Sequence, residues 1–263
     1  MNHAESQNEL FFQYPRNAVP TSQGSVDLPI LYYDNSVMMG LFRVDYDKAQ
    51  ALLAGQGLQA VRVVGGMALA GIAFYQYRDT SIADYNEVGV AIAVVPTGTA
   101  VPALPLLSML NSPDKAPVGF FVVDLPVTTA AACAAGRELW GYPKFQTPIG
   151  FSLQGSRFEG TVTDPDSGAE LLRLSGKAGV GMPAPLLDLV MYSRHEGRLL
   201  RTLANTRGGA RACLPGSMRL QVSDSGHPMA RRLHALGLNG AKPAILFHSH
   251  ALQLRLNAGA VLP

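Results

Sequence analysis

What most limits the folds open to this chain is the brevity of its apolar segments. Runs at 37–42, 60–64, 71–77, 88–95, 118–123, 149–153, 158–163, 171–174, 218–222 and 244–256 are mostly short, many are filled by β-branched and aromatic residues, and Gly, Pro, Asn or Asp marks the intervals. That is the rhythm of a mainly antiparallel β protein. The runs at 151–153 and 158–163 flank Gln154-Gly155-Ser156 and predict a hairpin. Helical signals are fewer. Asp45 can cap a helix running through Leu53, with Gly55 near its end. Thr128 or Thr129 can cap an alanine-rich helix to Ala135, with Gly136 as its stop, and 224–236 suggests a third helix. The class expected is therefore α+β. No internal repeat or low-complexity linker divides the chain, so a single domain over 1–263 is expected, with 1–25 as a peripheral N-terminal arm.

With 48% hydrophobic residues among 263, the chain can bury a large core without disulfides or metals. Lys and Arg total 21 against 19 Asp and Glu, a balance that argues against a nucleic-acid footprint. The arginines concentrate at Arg194, Arg198, Arg201, Arg207 and Arg211, interleaved with Leu199, Leu200 and Leu203, which reads as a solvated helix face or a subunit contact. Cys133 and Cys213 have no paired spacing and no histidine at ligand distance. A reducing, cytoplasmic setting is the expectation. His3, Glu5 and Glu9 stand where a signal peptide would carry basic and apolar residues. The long uncharged stretch 88–113 is broken by Pro96, Pro102 and Pro105, so buried strands and loops are expected there, and no membrane span.

His248 and His250 lie two apart and would share one face of a strand. Without a third ligand nearby they read as a structural pair rather than a metal site, and His3, His195, His227 and His234 carry no motif. GxSxG, GxxxxGK[ST] and HExxH are absent, and Gly65-Gly66 lacks dinucleotide-fingerprint spacing. The five lysines are more informative. Lys48, Lys115, Lys177 and Lys242 have Asp, Gly or Pro beside them and read as surface or turn residues. Lys144 instead follows Trp140-Gly141-Tyr142-Pro143 and precedes Phe145. Pro143 favours an extended Tyr142, and a lysine among aromatic residues either snorkels to water or stays buried with a neutral, nucleophilic amine.

The run Gly136-Arg137-Glu138-Leu139-Trp140-Gly141-Tyr142-Pro143-Lys144 resembles the segment that carries the Schiff-base lysine in acetoacetate decarboxylase-like proteins. Asp84-Tyr85-Asn86-Glu87-Val88-Gly89 is similar to that family's Tyr-x-Glu-x-Gly element, whose glutamate lies in the active site. Weaker likeness extends over about 34–256. The resemblance implies a closed or cone-like antiparallel β core, flanking helices, a buried apolar pocket and a homo-oligomer. It also implies Lys144 as nucleophile and Glu87 as acid-base group, with Trp140 and Tyr142 beside the substrate. The alternative for Glu87 is a structural pair with Arg78 or another arginine.

This chain departs from the decarboxylases in three places. They carry two consecutive lysines where it has Lys144-Phe145, an arginine that falls on Asn35, and a glutamate that falls on Phe74 or Tyr75. In acetoacetate decarboxylase itself the lysine is activated beside another cation. A like charge about 6 Å away at an effective dielectric of about 20 supplies about 2.8 kcal/mol, and burial can do as much. A dry pocket would therefore activate Lys144 without the second lysine. An iminium on Lys144 would let carbon dioxide or a proton leave the α carbon to give an enamine. The missing charges favour aldolase- or dehydratase-type condensation of a 2-keto acid such as pyruvate with an aldehyde, ahead of decarboxylation of acetoacetate or another β-keto acid. A non-catalytic small-molecule binder is the reading from another class. No metal or cofactor is expected.

Overall fold

The computed structural model describes residues 9–102, 105–108 and 117–262. His3, Glu5 and Lys115 lie outside the described residues, as do 1–8 of the expected arm and 103–104 and 109–113 of the uncharged stretch. A hairpin of β1 (Asn17–Thr21) and β2 (Gly24–Leu28) leads into β3 (Ile30–Val44), helix α1 (Tyr46–Leu52) and β4 (Leu58–Ala60). Then come β5 (Ala68–Thr80), β6 (Tyr85–Pro96), β7 (Gly119–Asp124), α2 (Ala130–Trp140), β8 (Ile149–Gln154), β9 (Arg157–Thr163) and β10 (Glu170–Lys177). The chain ends with β11 (Gly181–Ala184), β12 (Leu189–His195), β13 (Arg198–Cys213), β14 (Arg219–Val222), α3 (Pro228–Ala235), β15 (Ile245–Leu256) and β16 (Ala260–Val261).

Seven strands close into a barrel in the order β13, β12, β7, β6, β5, β3, β15, because β13 is long enough to pair with β12 at one end and with β15 at the other. Every pairing around it is antiparallel except β12 with β7. This is the α+β, mainly antiparallel barrel with flanking helices that the sequence led us to expect. A second sheet, in the order β14, β10, β9, β8, packs against the barrel's outside. It includes the hairpin turning at 154–157.

Barrel strands therefore have both faces buried. On β5, Ala68, Ala70, Ile72 and Phe74 face the layer shared with the second sheet, while Gly71, Ala73, Tyr75 and Tyr77 face the barrel interior. On β6, Val88, Val90, Ile92 and Val94 point outward, and Tyr85, Glu87, Gly89 and Ala91 point inward. The interior positions nearest mid-barrel are Gly and Ala. Their small size is what leaves the barrel hollow, since close packing would otherwise fill it.

The helices differ from expectation in two instructive ways. Asp45 caps α1 as expected, accepting from the Lys48 backbone N–H. Gly136 does not end α2, which starts at the Thr129 cap and runs to Trp140. The true stop is Gly141 at φ 65°, where a Cβ would lie 2.0 Å from the Arg194 carbonyl oxygen. The arginine-rich stretch is not a helix face. It forms the β12–β13 hairpin, which turns through Glu196 and Gly197 at φ 49° and 75°, the positive pair of a tight primed turn. The third helix begins at Pro228, later than the pattern suggested, because His227 occupies the cap and proline suits the first helical position.

Candidate active site

The hollow of the barrel is a cavity of about 120 Å³. Its walls are overwhelmingly apolar: Ile30 and Met39 of β3, Leu189 and Met191 of β12, Leu254 and Leu256 of β15, and Ile82, Phe120, Val122 and Leu125. Among the described lining residues Lys144 is the only cation and Glu87 the only acid. They meet there: Lys144 Nζ donates to Glu87 Oε2 at 2.6 Å, with side chains only 7% and 11% exposed.

Backbone pairing sets that meeting. Val127 bridges Glu87 on one side and Gln146 on the other. The Val88 N–H donates to the Pro126 carbonyl, the Leu125 N–H to that of Pro143, and the Val127 N–H to that of Phe145. The segment 125–127 thus stitches the lysine's extended segment to the glutamate's strand. It is anchored by the buried Asp124, which accepts from Arg232 of α3 at 3.0 Å. Burial pushes the Asp124 carboxyl up, against the pull of Arg232. Lys144 and Tyr142 line the cavity, whereas Phe145 packs into the outer layer with its ring 4.8 Å from that of His227, so the residue standing where decarboxylases have their second lysine points away from the cavity.

Gly136 has a role that its place in mid-helix concealed. The Lys144 side chain lies directly over it, and a Cβ there would sit 2.3 Å from Lys144 Cε and 2.4 Å from Cδ. Alanine is favoured over glycine inside a helix by about 1 kcal/mol, yet here it would displace the amine from Glu87. Gly136→Ala is expected to lower turnover by at least ~10-fold, about 1.4 kcal/mol of positioning, and to lower the melting temperature as well, because the gain in helix propensity is smaller than the cost of disturbing the buried pair. A variant as active as the parent would remove this role.

Phenols form the polar lining around the ion pair. Tyr77 donates to Glu87 Oε1 at 3.2 Å, and the hydroxyls of Tyr32 and Tyr85 lie 2.9 Å apart. Tyr75 stacks on Tyr77 with centroids 5.3 Å apart and stands directly across the β5–β6 ladder from Glu87. Burial above all, reinforced by the Glu87 charge, raises the pKa of Tyr32, Tyr75, Tyr77, Tyr85 and Tyr142. All five stay protonated and remain hydrogen-bond donors at neutral pH. Trp140 stacks near Tyr142 at 6.0 Å and donates to the Asn257 carbonyl at 3.1 Å.

The structure brings together four of the residues singled out from sequence: Lys144, Glu87, Trp140 and Tyr142 all line the cavity. Two it does not. Phe74 faces outward against Phe158, with ring centroids 5.5 Å apart, because the pleat gives the inward position to Tyr75. Asn35 is fully buried in β3, its amide donating to the Leu252 carbonyl at 2.8 Å, and it is not part of the cavity lining. Arg78 is not the partner of Glu87; its guanidinium pairs with Asp34 at 2.6 Å. Tyr32, Tyr77 and Gly136 went unmarked as site residues in the sequence and Tyr75 stood only as the alternative to Phe74; the alternation Tyr75-x-Tyr77 is the signal that marks two of the four. His248 and His250 are neighbours, with rings 5.6 Å apart. Burial, with the nearby His250 and Arg211, holds the His248 imidazole below its ordinary range. No group of three metal-ligating side chains occurs among the described residues, and no helix among them is long and apolar enough to cross a membrane.

Comparison with known proteins places this geometry. The sequence matches the acetoacetate decarboxylase (ADC) family model over residues 13–247. The chain belongs to the acetoacetate decarboxylase family. No curated protein matches it by sequence. Among solved structures, the acetoacetate decarboxylase of Legionella pneumophila is similar with a TM-score of 0.64 and 16% identity, over 100% of this chain and 96% of that one. An acetoacetate decarboxylase-like enzyme from Sphingomonas wittichii RW1 gives 0.61 and 16%, over 92% and 96%. The enduracididine biosynthesis enzyme MppR, in complex with pyruvate, gives 0.60 and 17%, over 89% and 90%. The barrel is the fold of this decarboxylase family, and the Lys144 and Glu87 motifs lie within the matched span.

Proposed function

We propose that this protein is a Schiff-base carbon–carbon lyase in which Lys144 is the nucleophile and Glu87 its proton partner. The observation that carries the reading is the 2.6 Å Lys144–Glu87 contact inside an apolar cavity. Moving the proton along that contact turns the ammonium into a neutral amine and the carboxylate into a neutral acid. The amine can then attack a ketone, and Glu87 can supply the proton that expels water from the carbinolamine.

From the iminium, our first reading is aldolase- or dehydratase-type chemistry: loss of a methyl proton from a 2-keto acid such as pyruvate, attack of the enamine on an aldehyde, and elimination of water. The cluster of neutral phenols supports it, because condensation needs proton donors at a second oxygen, whereas departure of carbon dioxide does not. The complexes reported for MppR, with pyruvate and with the condensation product of pyruvate and imidazole 4-carboxaldehyde, make the same substrate classes the first to try here. Decarboxylation of a β-keto acid such as acetoacetate is the second reading. An apolar lining is compatible with it, since a carboxylate that leaves as carbon dioxide needs no lasting partner. We further propose a single domain and a homo-oligomer, and no metal or cofactor.

The two readings separate in one experiment that follows carbon dioxide release beside product mass. With acetoacetate the expected result is imine formation but slow carbon dioxide release, because the carboxylate must be held perpendicular to the imine plane, positioning commonly worth several kcal/mol. With pyruvate plus an aromatic or unsaturated aldehyde, the expected product is the dehydrated adduct. Fast carbon dioxide release and no adduct would reverse the order.

A further inference from the structure

The cavity's phenols are not equivalent. Tyr32 and Tyr85 hydrogen-bond to one another, Tyr77 donates to Glu87, and Tyr142 reaches Met191 Sδ at 3.9 Å. The hydroxyl of Tyr75 has no hydrogen-bond partner among the described residues, yet the residue lines the cavity. It sits directly across the strand pair from Glu87 and is stacked in line with Tyr77, with ring planes 11° apart. Directly opposed residues on one sheet face have Cβ atoms about 4.5–5.5 Å apart. The Tyr75 hydroxyl is therefore open to donate to an oxygen of a bound molecule.

We propose that Tyr75 is a catalytic proton donor to the second oxygen of the reaction, the aldehyde oxygen, and that the acceptor substrate is an aldehyde with an apolar body. The proposal rests on the Schiff-base reading of Lys144. In the sequence it implies, the Glu87 carboxylate takes a methyl proton from the pyruvate iminium, and the C–H electron pair moves to form the enamine. The enamine carbon attacks the aldehyde carbon, the carbonyl π pair goes to oxygen, and Tyr75 protonates that oxygen. The phenolate recovers a proton from the neutral acid of Glu87, its cross-strand neighbour.

Glu87 then removes a second proton from the same carbon, the C–O bond breaks, and Tyr75 delivers a proton to the departing hydroxide, releasing water; the phenolate again recovers its proton from the neutral acid of Glu87. Hydrolysis of the iminium consumes the water lost when it formed and frees Lys144. The net change is pyruvate plus aldehyde giving an unsaturated 2-keto acid plus one water, with no oxidant or reductant. Because burial and the Glu87 charge push the Tyr75 phenol up, it carries its proton at neutral pH. Met39, Leu189, Met191, Leu254 and Leu256 offer no polar partner to the rest of the acceptor, which is why its body is assigned as apolar.

The test uses Tyr75→Phe, which keeps the ring and its stacking on Tyr77. Three readouts are followed with pyruvate: borohydride trapping on Lys144, exchange of the pyruvate methyl protons with deuterated solvent, and condensation with cinnamaldehyde. Trapping and methyl exchange are expected to remain within ~3-fold of the unaltered protein, because they need only Lys144 and Glu87. Condensation is expected to fall by about 100-fold or more, the range for loss of a positioned general acid. Condensation at the parent rate would overturn the assignment. Loss of exchange and condensation together would also overturn it, by showing that Tyr75 shapes the cavity instead. Failure of the unaltered protein to be trapped at all would overturn the Schiff-base reading, and this assignment with it. Condensation of glyoxylate faster than cinnamaldehyde would overturn the apolar acceptor alone.

Discussion

Lys144→Arg is expected to abolish turnover and all borohydride trapping while the protein stays folded. Guanidinium does not deprotonate at usable pH, so it cannot become a nucleophile, but it can still balance the Glu87 charge. Turnover near the parent rate would rule out imine chemistry altogether. Lys144→Ala separates the two roles of the residue. A lone buried lysine would be removed without loss of stability, as its aromatic sequence context alone suggests. The structure instead pairs it with Glu87 behind side chains that are 7% and 11% exposed. Breaking a buried pair by removing one partner destabilises by about 3–5 kcal/mol. The urea midpoint is therefore expected to fall clearly for Lys144→Ala and little for Lys144→Arg. Equal midpoints for the alanine variant and the parent would mean that the pair adds nothing to the fold.

Glu87→Gln is expected to produce the next largest effect. The amide keeps the shape but cannot take the lysine's proton, and Tyr77 is left donating to an amide that also has two protons of its own to place. Loss of a positioned acid-base group commonly costs about 10²–10⁴ in rate, and the buried ammonium loses its counter-charge as well. Condensation and methyl-proton exchange should therefore fall together, in contrast to Tyr75→Phe, and the melting temperature should fall with them. Retention of methyl exchange in Glu87→Gln would assign the proton transfers to another group.

The positions of β3, β5, β6, β7 and β15 were legible in the sequence because barrel strands buried on both faces read as continuous apolar runs. For the same reason their facing was not legible. In Ile72-Ala73-Phe74-Tyr75 nothing polar marks the inner side, so the position aligned with the family's glutamate could be Phe74 or Tyr75, and only the pleat makes the choice. The β12–β13 hairpin was missed because Arg194, Arg198 and Arg201 fall at helical spacing, while the inward alternation of Leu200, Thr202 and Ala204 is disguised by a buried threonine. Gly136 read as a helix stop because glycine usually is one. Its actual function, room for a side chain eight residues later, is a tertiary contact that no local pattern encodes. Lys144 and Glu87 were found through the two motifs that carry them, one of which quotes the full Gly136–Lys144 run.

On the proposed Schiff-base reading, the clamp of Val127 between the Glu87 and Lys144 segments separates chemistry from recognition. The distance from amine to carboxylate is fixed by backbone hydrogen bonds among 87, 125–127 and 143–146, whereas the apolar wall is supplied by side chains on β3, β12 and β15. A barrel built this way is evolvable. Drift or directed evolution at Met39, Leu189, Met191, Leu254 and Leu256 can reshape what the hollow admits while leaving the reacting atoms in register, and a library confined to those five positions samples new substrates without having to rediscover the catalyst.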